Sequence, residues 1–464
     1  MRPSGRFWFG TIVVMLKRIL FWCVVAVIIL GAAGFLYLAT RPADTQSDKS
    51  GLGAVLAPAD SESRVVYDES KQVTLTYWRT WDEARYMQPI IDQFQKLHPN
   101  VKIEIRDIDY GSYDTELAQA AQTGNLPDIY SVLNDWMPRY VDYSTPAPDT
   151  VYTEKVYRDV FVDAATQRLL YDGKIRGVTY GVSTLGLYYN PALLKEANVG
   201  VPKNWDEFTE ASRKLTKREG ETITQSGAAL GTPFVHQSVD IQSALMLQNG
   251  ASMTDEPPTK ATFAQPDASG YASGAKAMEY YTSFANPKKQ NYAFQDTLGY
   301  TVKAFAEGKV AMMINYPFKA TEVKQFNQGL EFKMAKLPQI KDQKEINFAQ
   351  YWVEMVNKNS SNSEIAWDFI RFAATKDNQK KFNSETLRPT SRKDLISAQD
   401  GDAMIGPFAS QISSAQTFYR GNDKEMNGYF YDATVSVLSG LDPQLAVKNL
   451  ERRATDIIVS YPRK

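Results

Sequence analysis

The chain is predicted to be a mixed α/β protein, with helices covering largely parallel sheets. Three observations carry this. Segments of alternating, β-branched character follow one another with amphipathic segments between them, the grammar of strand–helix–strand units. At 464 residues the chain is long enough for two or three lobes with their own cores. Hydrophobic residues at 43% and charged residues at 23% give a globular balance rather than a disordered one.

The elements follow in order. Ile19 to Leu38 reads ILFWCVVAVIILGAAGFLYL, an uncharged run of about twenty residues. At ~1.5 Å per helical residue it spans a hydrocarbon core. Lys17 and Arg18 precede it, so residues 1–18 are expected to stay cytoplasmic, 19–38 to anchor, and the rest to lie outside. The run is longer than a signal-peptide core and lacks a clean small-x-small end, which favours a retained anchor. Residues 39–72 are rich in Ser, Asp, Pro, Gly and Ala without an apolar period and read as a flexible linker.

The body opens with strand QVTLTY at 72–77 and a loop at 78–82. Residues 83–97 place Tyr86, Ile90, Ile91, Phe94 and Leu97 at helical spacing before Pro99. VKIEI at 101–105 alternates again, 113–123 is a helix closed by Gly124, and 128–132 is a short strand. Further along, 204–217 and 363–375 read as helices and 310–314 and 348–356 as strands. Trp367, inside an amphipathic helix, reads as core.

Charge and composition exclude other classes. Residues 1–41 carry five basic and no acidic side chains, which leaves the remainder at −6 within a net charge of −1. A mildly acidic body does not suit nucleic-acid binding, which needs a basic face against phosphates. Cys23 is the only cysteine, so no intrachain disulfide forms. With only His98 and His236 besides, neither a Cys/His zinc site nor a His-based nucleophile is expected, and no metal or cofactor is indicated. Asp400-Gly401-Asp402 lacks the alternating acidic positions of a calcium loop.

Ligands of open α/β sheets bind at the carboxyl ends of strands. There the chain offers Trp78, Arg79, Trp81 and Asp82; Asn134, Asp135 and Trp136; Asn315, Tyr316 and Phe318; and Gln350, Tyr351 and Trp352. Aromatics beside hydrogen-bonding side chains suit a pyranose, whose C–H face stacks on a ring while its hydroxyl rim bonds polar groups.

Six stretches together carry a family resemblance: GVTYGVSTLGLYYNPALLKEANV (177–199), VPKNWDEFTEASRKLT (201–216), AFAEGKVAMMINYPF (304–318), NKNSSNSEIAWDFIRFAAT (357–375), LRPTSRKDLI (387–396) and VLSGLDPQLAVKNLERRATDII (437–458). Occurring in the family's order, they make the body resemble the bacterial extracellular solute-binding proteins of family 1, the sugar-binding subunits of ABC importers. The maltose-binding protein is a distant relative of these. The resemblance implies a periplasmic-binding-protein-like fold, with two α/β lobes on a multi-strand hinge. It implies that 73–184 and 307–345 form the N-terminal lobe and 185–306 and 346–464 the C-terminal lobe. Its ligand-facing positions fall on Trp81, Asp82, Asp135, Trp136, Thr184 at the crossover, Gln248, Asn249, Asn315, Tyr316, Tyr351, Trp352 and Arg388. Many members have Gly-Gly where this chain has Gln350-Tyr351-Trp352, so a bulkier cleft is expected. The implied activity is non-enzymatic capture of a mono- or oligosaccharide by hinge closure. A monomeric body outside the cell would deliver it to membrane permease subunits. A surface-anchored sugar sensor or adhesin, and a glycosidase using a carboxylate pair such as Asp82 and Asp135, are the alternatives.

Overall fold

The protein was analysed as a computed structural model that describes Val65, residues 68–80 and residues 83–461. The expected cytoplasmic segment 1–18, anchor 19–38 and most of the linker 39–72 lie outside the described residues, as do Trp81 and Asp82. Among the described residues no helix is long and apolar enough to cross a membrane.

Among the described residues there are two hydrophobic cores, and the first is built on a five-stranded sheet. Strand Val73–Thr80 lies between the parallel strands Val101–Ile108 and Ile129–Leu133, in the register Val73↔Val101 and Tyr77↔Ile129. Strand Trp352–Asn357 then pairs antiparallel with Ile129–Leu133, and Ser144–Thr145 adds the edge. Helix Glu83–Leu97 turns Met87, Ile90, Ile91 and Phe94 inward, a spacing that puts them on one face. Helix Tyr110–Thr123 starts where the Asp109 carboxylate accepts the Gly111 N–H. It stops at Gly124, whose φ of +76° suits a residue without Cβ.

The first strand runs on to Thr80 rather than ending at Tyr77, because Arg79 is neutralised in place. Its guanidinium, 1% exposed, pairs with Glu354 at 2.9 Å and donates to the Tyr77 hydroxyl. Glu354 also accepts from Tyr77 Oη at 2.7 Å and Ser131 Oγ at 2.6 Å. The rings of Tyr77, Tyr180 and Phe382 lie 5.5–5.9 Å from the Arg79 guanidinium carbon. A charge so satisfied can sit inside a strand.

The second core gathers around strands Gly186–Tyr189, Met312–Asn315 and Lys333–Lys336, with Gly186–Tyr189 central and both partners antiparallel. Helices Trp205–Leu215, Ser238–Gln248, Ser273–Ser283, Asp423–Leu438 and Pro443–Ser460 pack on it. Asn204 caps the first of these through Glu207 N, with Asp206 and Glu207 favouring the positive helix end. That helix ends at Leu215, and Lys217–Glu219 is already extended.

The division between the cores differs from the expected one. Val310–Met334, placed by expectation with the N-terminal lobe, belongs to the second core. Ala349–Ala374, placed by expectation with the C-terminal lobe, belongs to the first core, and the chain touches the second again at Phe408 and returns to it from Phe418. Strand pairing decides this. Met312–Asn315 bonds to Gly186–Tyr189, while Trp352–Asn357 bonds to Ile129–Leu133. The expected single strand 348–356 is accordingly two, Asn347–Gln350 and Trp352–Asn357, broken at Tyr351 just after the chain changes core between Phe348 and Ala349.

The crossings coincide with a small sheet in the order Ala415–Gln416, Asn347–Gln350, Ser183–Thr184. Val182 packs in the first core and Leu185 in the second; Phe348 packs in the second and Ala349 in the first. Asn347 ties the crossings together. Its Nδ2 donates to Leu185 O and Gln411 Oε1, both at 2.8 Å, and its Oδ1 accepts from Leu185 N at 3.1 Å. This is the expected multi-strand hinge. Gly186 stands where a Cβ would lie 2.3 Å from the Phe408 ring, so the backbone approaches that ring as only glycine permits.

Replacing Glu354 by Ala leaves Arg79 buried without its counter-ion. The variant is expected to lose about 3–5 kcal/mol of stability in a denaturant titration. A loss below about 1 kcal/mol would contradict the central place given to this network.

Candidate functional site

The two cores face each other across a cleft. One recess, of about 1180 Å³ including space open to solvent, is bordered by Tyr110, Leu133 and Asp135 from the first core side. From the other side come residues 236–240, Asn427 and Tyr431. A second recess, of about 1020 Å³ on the same basis, lies between Arg85, Tyr86 and residues 385–388 on one side and residues 318–326 on the other. Trp81 and Asp82 immediately precede the helix that supplies Arg85 and Tyr86.

Arg420 joins the walls of the first recess. It is 3% exposed and reaches Asp135 Oδ2 at 3.2 Å and Asp240 Oδ1 at 2.6 Å. Asp135 follows the carboxyl end of strand Ile129–Leu133; Asp240 lies in the first turn of helix Ser238–Gln248. The rings of Phe348 and Phe418 flank the guanidinium at 5.1 and 4.9 Å. Asp240 also accepts from Tyr316 Oη at 2.8 Å, and Asp135 from Asn134 Nδ2 at 3.0 Å. Burial pushes the Asp135 carboxyl up to about 7; Arg420 opposes this and Asp240 adds to it. Alongside, Arg139 spans Asp114 at 2.9 Å and Asp423 at 3.4 Å, again joining one side to the other.

The indoles expected to face a ligand lie one layer back. Trp136 and Trp352 are 4% and 5% exposed and meet edge to face at 5.6 Å. Tyr110 stacks on Trp136 at 6.5 Å and 19°. Tyr110 and Tyr431, each 40% exposed, are the rings that open to the recess, with Phe234 edge-on to Tyr431 at 5.5 Å.

Of the remaining expected positions, Asp135 and Arg388 border the recesses. Arg388 sits over the Phe318 ring at 5.5 Å, and Phe318 stacks on Tyr316 at 5.7 Å. Asn315 and Tyr316 stand directly behind the wall, holding His236 and Asp240. Thr184, Gln248 and Tyr351 are engaged inside the protein, and Asn249 is half-buried at a helix end. Thr184 Oγ1 donates to Phe408 O at 2.9 Å in the hinge, and Tyr351 Oη to Ala164 O at 2.9 Å. Gln248 accepts from Trp205 Nε1 at 2.5 Å and donates to Ile346 O at 2.8 Å, while Asn249 Nδ2 donates to Leu245 O at 2.8 Å. Gln350 does border the first recess, but Tyr351 and Trp352 point their bulk into the first core.

Sequence reasoning missed Tyr110, His236, Asp240, Arg420 and Tyr431. Tyr110 had a signal, since it follows the carboxyl end of strand Val101–Ile108, where a ligand contact is expected. The others come from helices and loops of the second core that no strand announces.

Two α/β cores on a shared hinge, with a polar and aromatic cleft between them, define a two-lobed binding fold. Comparison with known proteins agrees. The model of the bacterial extracellular solute-binding protein family matches residues 80–380, and the chain belongs to that family. The galactooligosaccharide-binding protein of Bacillus subtilis is 22% identical over 370 residues, 79% of this chain and 83% of that one. Among solved structures, the cyclic α-maltosyl-1,6-maltose binding protein of Arthrobacter globiformis superposes with a TM-score of 0.70 at 20% identity, covering 83% of this chain and 99% of that one. The sugar-binding protein MalE of Xanthomonas citri gives 0.70 at 20%, covering 83% and 98%.

Replacing Arg420 by Met strands two buried carboxylates. It is expected to cost about 3–5 kcal/mol in denaturant unfolding at pH 7. Because one partner to gain relief is Asp135, the cost should shrink at pH 5. His236 gives a second pH test. Burial lowers its imidazole from 6.5 to about 4, with nearby Lys319 acting in the same direction. Between those values the unfolded chain holds a proton that the folded chain does not, so this residue lowers stability as pH falls. A His236→Gln variant should therefore gain about 1–2 kcal/mol on the wild type between pH 7 and pH 5, read by denaturant titration at both.

Proposed function

We propose that this protein captures a carbohydrate in the cleft between its two cores and hands it, chemically unchanged, to an ABC permease in the membrane. The observation that supports this most is the construction of the cleft. Half-exposed rings of Tyr110 and Tyr431 stand beside a rim of hydrogen-bonding groups, on opposite sides of a hinge. Rings can stack on a sugar's C–H face, and the rim can take its hydroxyls. The named sugar-binding relatives support the same reading. Binding from both walls favours the closed arrangement, which is how a hinge couples capture to recognition by a permease. Asp135 and Asp240 are both paired with Arg420, and the family to which the chain belongs is one of binding proteins, which favours binding over hydrolysis. On this reading Asp135, Tyr110, Tyr431 and Arg388 face the ligand, Trp81 and Asp82 are further ligand contacts, and Trp136, Trp352, Asn315 and Tyr316 support from behind. The body acts as a monomer outside the cell, and the apolar run 19–38 holds it at the membrane with the N-terminus inside.

A thermal-shift screen of the protein against maltotetraose, mannobiose, galactotriose and arabinotriose tests the reading, since a ligand that binds only the folded form raises the melting temperature. At least one sugar is expected to raise it while remaining intact by chromatography. Tyr110→Ala and Tyr431→Ala should each weaken that sugar about five- to tenfold in calorimetry. No shift with any of the four, or cleavage of the sugar, would refute it.

A further inference from the structure

His236 is among the residues that line the first recess, and its neighbours Thr301, Asn315 and Tyr300 orient it. The backbone N–H of His236 donates to Thr301 Oγ1 at 3.2 Å, which pins the loop before helix Ser238–Gln248. The ring contacts Asn315, 1% exposed, at 3.1 Å between Nδ1 and the side-chain Nδ2. The Asn315 amide has one possible orientation. Its other atom receives the Tyr316 backbone N–H at 2.9 Å, and a backbone N–H can only donate, so that atom is the oxygen. The NH2 group therefore faces the imidazole and donates to it. Nδ1 must be the acceptor, and in the neutral ring the proton then sits on Nε2. Among the described residues Nε2 has no hydrogen-bond partner. The Tyr300 ring stands edge-on at 5.7 Å and 77°, limiting rotation.

We propose that His236 is a specificity-determining residue of the cleft. It presents a preset Nε2–H donor to an acceptor oxygen of the bound sugar, a hydroxyl, ring or glycosidic oxygen. The assignment rests on the carbohydrate reading above and deepens it. A group that can only donate accepts an oxygen lone pair and rejects an ammonium in the same place, which has none to offer. The cleft is therefore selective for a neutral hydroxylated sugar over its amino-substituted counterpart at the position next to His236. Asn315 acts through His236 as a positioning residue: its amide sets which imidazole nitrogen carries the proton.

The experiment uses the protein with whichever of maltotetraose, mannobiose, galactotriose or arabinotriose binds it. His236→Phe keeps a ring and removes the donor; it should weaken that sugar about tenfold in calorimetry, in line with the loss of one net hydrogen bond. His236→Gln, which restores an N–H, should recover part of the loss. Both variants should keep cooperative unfolding. Long-range nitrogen–proton spectra of the wild type should show the Nε2–H tautomer at pH 7, its signal moving when the sugar is added, while that of His98 stays. In Asn315→Leu the tautomer preference should be lost. Wild-type affinity in folded His236→Phe, or an Nδ1–H tautomer, overturns the assignment while leaving carbohydrate capture intact. Binding of none of the four sugars by the wild type overturns both.

Discussion

One guanidinium holds a carboxylate from each wall of the cleft. Arg420 reaches Asp135, which belongs to the strand ends of the first core, and Asp240, which starts a helix of the second. Burial raises the Asp135 carboxyl to about 7, and Arg420 opposes that rise. The arrangement constrains more than charge. Asp240 carries Tyr316, Tyr316 stacks on Phe318, and Phe318 lies under Arg388, so the two recesses are connected through one chain of contacts. A single positive charge against two carboxylates also leaves the wall rich in acceptors, which matches a guest that brings hydroxyl donors.

The hinge sets what this wall can do. Crossings at 182–185 and 348–349 and the strand at 415–416 share one small sheet, and Asn347 satisfies backbone groups of more than one of them. The residues on either side of this sheet pack into separate cores. Ion pairs that cross the cleft, Arg420–Asp135 and Arg139–Asp423, weigh on the arrangement in which the walls are together. A guest that touches both walls adds to the same side of that balance.

Much of the architecture was legible in local pattern. Alternation and helical periodicity located the first three strands of the first sheet and the helices between them, and Gly124 was legible as a helix end, while the start of that helix at Asp109 was not. The lobe division was not, because Met312–Asn315 and Trp352–Asn357 carry the same buried-strand pattern whichever sheet they join. Arg79 shows a related failure. A charged residue after a strand reads as loop, yet Glu354, 275 positions away, makes it core. At the site, aromatics after strand ends were found, but burial sorted them: Trp136 and Trp352 went beneath, and Tyr110 and Tyr431 stayed at the face.

The amino-acid order by itself determined that this is an α/β chain with a charge-free N-terminal run, without disulfides, and with family motifs along its body. Those properties follow from composition, period and short-range spacing, which act over a few residues. Only the tertiary structure decided which strands share a sheet, which rings open to the cleft, and which proton His236 carries. Each of those depends on a partner tens to hundreds of positions distant, such as Asn315 for His236 or Asp135 for Arg420, and contacts of that range exist only once the chain is packed.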